Sequence, residues 1–128
     1  VELASRTAGQ VLWFSLARKV DPGVFLERDR LVLGGSVLMP ADEIPLRGRH
    51  NIENVMAAAL AAYLAGASRP DIAAAVRTFR AVEHRLEFVR RVRGVDYYND
   101  SKATNVDSAL KAVEAFDTPL WVILGGKD

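Results

Sequence analysis

The sequence predicts an α/β chain in two parts, and three observations carry that prediction. Residues 1–48 hold short β-forming runs parted by turn residues, and Ile52 to Phe79 hold two stretches of helical period. From Arg85 onward a period-two run leads into a helix and then an uninterrupted apolar run, the strand–helix–strand order that begins a doubly wound domain. The change of pattern places the boundary near Ala81 to Glu83, giving parts 1–82 and 83–128.

In the first part, strands are expected within Gln10 to Ser15, over Gly23 to Glu27, over Arg30 to Leu33 and over Ser36 to Met39. Asp21-Pro22-Gly23, Glu27-Arg28-Asp29 and Gly34-Gly35 part them, which suits short antiparallel strands or hairpins. Val1 to Ala8 carry no start signal, so the chain is expected to be a piece of a longer one.

Ile52, Val55, Met56, Ala59, Leu60, Tyr63 and Leu64 form one helical stripe, with Asn51 at the N-cap position and Gly66 as the stop. A second helix follows, with Ser68 as cap, Pro70 and Asp71 in its first turn, and Ile72, Ala73, Val76 and Phe79 facing inward. Together they make a helical hairpin.

In the second part, Leu86 to Val92 and Val95 to Tyr98 read as strands around a turn at Arg93-Gly94. Val106, Ala109, Leu110 and Val113 outline a third helix, ended by Thr118-Pro119. Leu120 to Leu124, closed by Gly125-Gly126, has the unbroken apolar character of a strand buried on both faces of a parallel sheet.

Composition removes several function classes. Lys plus Arg number 17 against 16 Asp plus Glu, so no bulk charge draws the chain to nucleic acid or an anionic membrane, and any anion site must be local. The absence of cysteine excludes disulfides, thiolate catalysis and Cys-based metal sites. The apolar run from Val55 to Ala65 is too short to span a bilayer, and a cytoplasmic location is expected.

The chemistry concentrates in Tyr98-Asn99-Asp100-Ser101-Lys102-Ala103-Thr104-Asn105, a polar tract at the carboxyl end of a strand and the start of a helix, where anionic ligands settle on backbone N–H groups. Lys102 could meet a phosphate, Asp100 a ribose hydroxyl or metal-bound water, and Thr104 a carboxylate or phosphate oxygen. Equally, Thr104 or Asn105 could be an N-cap, Asp100 the closure of an Asx turn, and Lys102 a solvated side chain. Asn51 and Asn54, one helical turn apart, offer amides suited to the edge of an adenine ring, or else a cap and a solvated residue. His50 and His84 lack partners at metal-ligand spacing. Arg85, Arg90, Arg91 and Arg93 are not interleaved with aromatics as a strand-binding surface would be; most of them suit a charged sheet edge, while Arg85 stands apart at the domain junction beside His84.

Taken in order, Gly48-x-His50-Asn51-x-x-Asn54, His84-Arg85-Leu86-Glu87, Asn99-Asp100-Ser101-Lys102-Ala103-Thr104-Asn105 and Leu124-Gly125-Gly126-Lys127-Asp128 resemble the Mur ligase family. The complete Asn-Asp-Ser-Lys-Ala-Thr-Asn tract resembles its D-glutamate-adding branch. The resemblance implies the latter part of a P-loop-type central ATPase domain over 1–82 and the start of a Rossmann-like C-terminal domain over 83–128. It implies an ATP-dependent ligase of peptidoglycan synthesis that converts a carboxylate to an acyl phosphate, which an amino group then attacks. Its partners would be ATP, UDP-N-acetylmuramoyl-L-alanine and D-glutamate, with Mg2+ held by ligands outside this stretch, and the full-length enzyme would act as a monomer.

By the same resemblance Asn51 and Asn54 would hold adenine, Arg85 the nucleotide's phosphate or ribose, Asp100 the ribose, and Lys102, the catalytic residue, the phosphate region. Thr104 and Ser101 would face D-glutamate. No G-x-x-x-x-G-K-[ST] loop occurs, Lys127 is not expected to receive the D-glutamate carboxylate, and these residues alone are expected to be inactive. A folylpolyglutamate synthase type of ligase and a non-catalytic α/β binding module remain as alternatives.

Overall fold

The structure, a computed structural model, describes residues 2–125 and divides into two compact units, Val1–Arg80 and Ala81–Asp128. A 3-10 helix, Glu2–Arg6, opens the first unit. Strands β1 (Trp13–Ser15), β2 (Gly23–Glu27), β3 (Arg30–Leu33) and β4 (Ser36–Pro40) follow and form one sheet in that order. The β2 and β3 bounds are those the sequence predicts, because turn residues flank both runs closely.

The β1 expectation needs two corrections. Only Trp13–Ser15 of the run pairs, and it pairs parallel to β2 instead of antiparallel, with Trp13 opposite Gly23 and Ser15 opposite Phe25. Side-chain pattern does not encode strand direction, so nothing in 10–15 could have revealed it. Gly23 permits the approach: a Cβ there would lie 2.0 Å from the Trp13 carbonyl oxygen.

Helix α1 (Arg49–Leu64) packs Val55, Met56, Ala59 and Leu60 onto the sheet's Val24, Leu31, Leu33 and Met39. The buried stripe is shorter than the sequence suggests, since Tyr63 and Leu64 stay exposed. The helix ends at Ala65, with Gly66 at φ +94°, a conformation that costs glycine little. Helix α2 (Arg69–Thr78) adds Ile72 and Ala73 to the core, and Ser68 Oγ accepts the Asp71 N–H as its N-cap. Arg69 ties α2 to the sheet by donating Nε–H to the Leu33 carbonyl at 3.1 Å while its guanidinium lies 5.0 Å from the Tyr63 ring centre. Phe79 does not face inward. It follows α2 in an extended conformation and is half exposed.

In the second unit, β5 (Glu87–Val92) and β6 (Val95–Asn99) form an antiparallel pair with a register shift between Phe88 and Arg90. Arg93 at φ +49° and Gly94 at φ +83° make the tight hairpin turn, both central residues left-handed as its twist requires. Phe88, Tyr98 and Phe116 meet edge to face, with centroids 5.5 and 4.9 Å apart. Helix α3 (Val106–Val113) is capped by Asn105, whose Oδ1 accepts the Ser108 N–H at 2.8 Å. It stops at Glu114, well before Thr118-Pro119, so the proline does not end it.

Leu120 to Leu124 form no strand. Trp121 and Ile123 are essentially fully exposed, and β6 pairs only with β5 among the described residues. An apolar run becomes a strand only when neighbouring strands take its backbone groups, and none of the described residues does so here. Gly126, Lys127 and Asp128, the end of the Leu124-Gly-Gly-Lys-Asp motif, lie outside the described residues.

Candidate functional site

The predicted site residues fall in both units, and each group is described within its own unit. In the first, Asn51 is not the N-cap. Gly48 holds that position without a side-chain bond, and Asn51 lies in the first turn of α1, buried. Its Nδ2 donates to the Arg47 carbonyl at 2.6 Å, and its Oδ1 accepts from Asn54 Nδ2 at 3.2 Å. The two amides therefore act as a pair, because helical spacing brings residues three apart onto one face. Asn54 is exposed.

In the second unit the polar corner between β6 and α3 is joined to the turn before β5. Asp100 Oδ1 accepts the Leu86 N–H at 3.0 Å, the Lys102 N–H donates to the His84 carbonyl at 3.1 Å, and Asn99 Nδ2 lies 2.9 Å from His84 Nδ1. Two motifs separated in sequence thus form one cluster. The corner is also braced from within: Asn99 Oδ1 accepts the Ser101 N–H at 3.1 Å, and the Asp100 carbonyl accepts the Ala103 N–H at 2.9 Å.

The turn needs that bracing. His84 at φ +66° and Leu86 at φ +47° both occupy the left-handed region, which side chains other than glycine adopt at a cost. Glu87 adds support by accepting the His84 N–H at 2.8 Å, with its Oε2 also 3.4 Å from His84 Nδ1. Backbone strain is offset by hydrogen bonds from three side chains.

This clasp leaves Arg85, Ser101, Lys102 and Thr104 exposed. Asp100 is half buried with one carboxylate oxygen on Leu86, so it serves the fold whatever else it does. Asn105, and not Thr104, caps α3, so the cap and the Thr104 hydroxyl are separate groups. At the far end of the hairpin, Arg91 donates to both carboxylate oxygens of Asp96; this hydrogen bonding, with the attraction between the charges, raises the Arg91 pKa above its ordinary value. Arg91 is therefore a structural cross-strand cation.

Sequence reasoning missed the clasping side chains Asn99, His84 and Glu87. His84 and Glu87 three residues apart, with an amide heading the polar tract, was the available signal, but the fifteen-residue separation of Asn99 and His84 hid their contact. Among the described residues no three His, Asp or Glu side chains gather as a metal site would require, and no helix is long and apolar enough to cross a membrane.

No protein-family model matches the chain. Among curated proteins it is 66% identical over 128 residues to a UDP-N-acetylmuramoylalanine--D-glutamate ligase of Solibacter usitatus, covering 100% of this chain and 29% of that protein. A protein of the same name from Acidobacterium capsulatum is 50% identical over 131 aligned positions, covering 98% of this chain and 28% of its own length. One from Bacillus subtilis is 36% identical over 128 residues, covering 100% and 28%. The chain spans under a third of the length of these relatives. Matched along its full length to proteins that share one name, this chain belongs to the Mur ligase family.

Proposed function

We propose that this chain is part of an ATP-dependent ligase that adds D-glutamate to UDP-N-acetylmuramoyl-L-alanine in peptidoglycan precursor synthesis. The observation that carries the reading is the full-length match at 66% identity to a protein of that named activity. The clasp supports it from the structure, because it gathers the exposed cations Arg85 and Lys102 onto two segments joined by hydrogen bonds.

Taken unit by unit, the paired amides of Asn51 and Asn54 in the first suit the edge of an adenine ring; in the second, Asp100 suits a ribose hydroxyl, and Arg85 and Lys102 suit phosphate oxygens. Bound ATP would supply the phosphoryl group that turns the substrate carboxylate into an acyl phosphate with release of ADP, and attack by the D-glutamate amino group would expel inorganic phosphate as the amide bond forms. Lys102 then offsets charge developing on the phosphate, and Thr104 and Ser101 orient D-glutamate through their hydroxyls. The described residues supply no ligand set for Mg2+, which on this reading would be held by residues outside this stretch.

Residues 1–82 are read as the latter part of a central ATP-binding domain and 83–128 as the start of a C-terminal Rossmann-like domain. These 128 residues alone are expected to show no turnover, since their sequence holds no Gly-rich phosphate loop. The test is phosphate release by the full-length protein given UDP-N-acetylmuramoyl-L-alanine and one amino acid at a time. Release with D-glutamate is expected; release with L-lysine or diaminopimelate but not D-glutamate would contradict the assignment.

A further inference from the structure

The hydrogen bonds around His84 give the Asn99 side chain a part that none of the roles above uses. Asn99 Oδ1 is committed to the Ser101 N–H at 3.1 Å, so the atom facing His84 Nδ1 at 2.9 Å is the amide nitrogen. An amide nitrogen only donates, so this contact calls for Nδ1 as acceptor and the ring proton on Nε2. A proton on Nδ1 would set N–H against N–H at the Asn99 contact, while Glu87 Oε2, 3.4 Å from Nδ1 and on the same turn, offers that proton an acceptor. Of the other charged groups bound into the turn, Asp100 directs its carboxylate to the Leu86 N–H and Lys102 enters only through its backbone N–H.

We propose that Asn99 is a positioning residue of the ligase site, which through His84 holds the turn bearing Arg85 against the corner bearing Lys102. The proposal rests on the ligase reading. The Leu86–Asp100 and Lys102–His84 bonds already join the two segments, and the Asn99–His84 bond makes their junction depend on which ring nitrogen carries the proton.

Two substitutions separate this role from a merely structural one. Asn99→Ala removes both bonds of the side chain. Asn99→Asp keeps an acceptor for the Ser101 N–H but turns an acceptor toward His84, so its bond needs the ring proton on Nδ1 instead of Nε2.

The experiment measures kcat/KM against pH for the full-length enzyme and both variants, with 15N chemical shifts of the His84 ring assigned through His84→Gln. Wild-type His84 is expected to carry its ring proton on Nε2, with Nδ1 as the acceptor of the Asn99 amide. Asn99→Ala is expected to lower kcat/KM about tenfold, the scale of one lost hydrogen bond. Asn99→Asp is expected to move the ring proton to Nδ1, read in the His84 15N shifts, and to keep more activity than Asn99→Ala. A wild-type ring with its proton on Nδ1, unchanged kcat/KM in Asn99→Ala, or an Asn99→Asp ring that keeps its proton on Nε2 would each overturn the proposal. Should Asn99→Ala fail to fold, the Asn99→Asp ring shifts decide alone. A wild-type enzyme with no D-glutamate-dependent phosphate release would overturn the ligase reading itself, a result distinct from any of these.

Discussion

Asp100 Oδ1 accepts the backbone N–H of Leu86 at 3.0 Å, fourteen residues away in sequence. One half-buried carboxylate thus joins the strand-to-helix corner to a turn whose backbone is strained at His84 and Leu86. Removing it strands a donor and releases a strained turn together.

Asp100→Ala is therefore expected to destabilise the second unit by about 1–2 kcal/mol, the range of a lost hydrogen bond with its donor left unmatched. Asp100→Asn retains an acceptor oxygen and should recover most of that loss. Urea unfolding of the two variants, followed by amide exchange at Leu86, checks the order.

Gly23→Ala sets a methyl carbon where the Trp13 carbonyl oxygen already stands. The β1–β2 pairing must shift to admit it, at an expected cost of at least about 2 kcal/mol, in the range of overpacked cores. Thermal unfolding and loss of amide protection at Trp13, which donates to the Pro22 carbonyl at 3.1 Å, are the measurements.

Arg93 holds a left-handed conformation that asparagine tolerates better, and it precedes Gly94 in a two-residue hairpin turn. Arg93→Asn should stabilise the β5–β6 hairpin by about 0.5 kcal/mol. A fall in the denaturant midpoint would show that the arginine makes a contact worth more than the turn preference.

How far the sequence revealed the fold depended on whether local or distant groups decide each element. The β2 and β3 bounds, the Ser68 cap and the Gly66 stop rest on residues within a few positions, and all were legible. Strand direction at β1 and the fate of Leu120 to Leu124 depend on pairing partners elsewhere, and there local pattern failed. Exposed Trp121 and Ile123 make the point plainly: hydrophobicity states a preference for burial but does not supply the partner.

The candidate site divides the same way. The polar tract and the Asn51–Asn54 spacing stood out because their residues are close in sequence. Asn51 was misread as a cap because an asparagine ahead of an apolar stripe is a capping signal; the helix began earlier, at Arg49, and turned that amide inward. The union of His84 to Glu87 with Asn99 to Lys102 runs through backbone carbonyls and a histidine ring, which no residue spacing records.

The most direct test of the account is steady-state kinetics of Lys102→Ala in the full-length enzyme, with UDP-N-acetylmuramoyl-L-alanine, D-glutamate and ATP. Lys102 binds the fold through its backbone N–H, which alanine keeps, so the unfolding midpoint should not move. The account predicts a loss in kcat of about 100-fold or more, the size expected when a positioned group that offsets transition-state charge is removed. Unchanged kinetics in a folded Lys102→Ala enzyme would contradict it and leave the corner from Asn99 to Asn105 as a capped helix start and nothing more.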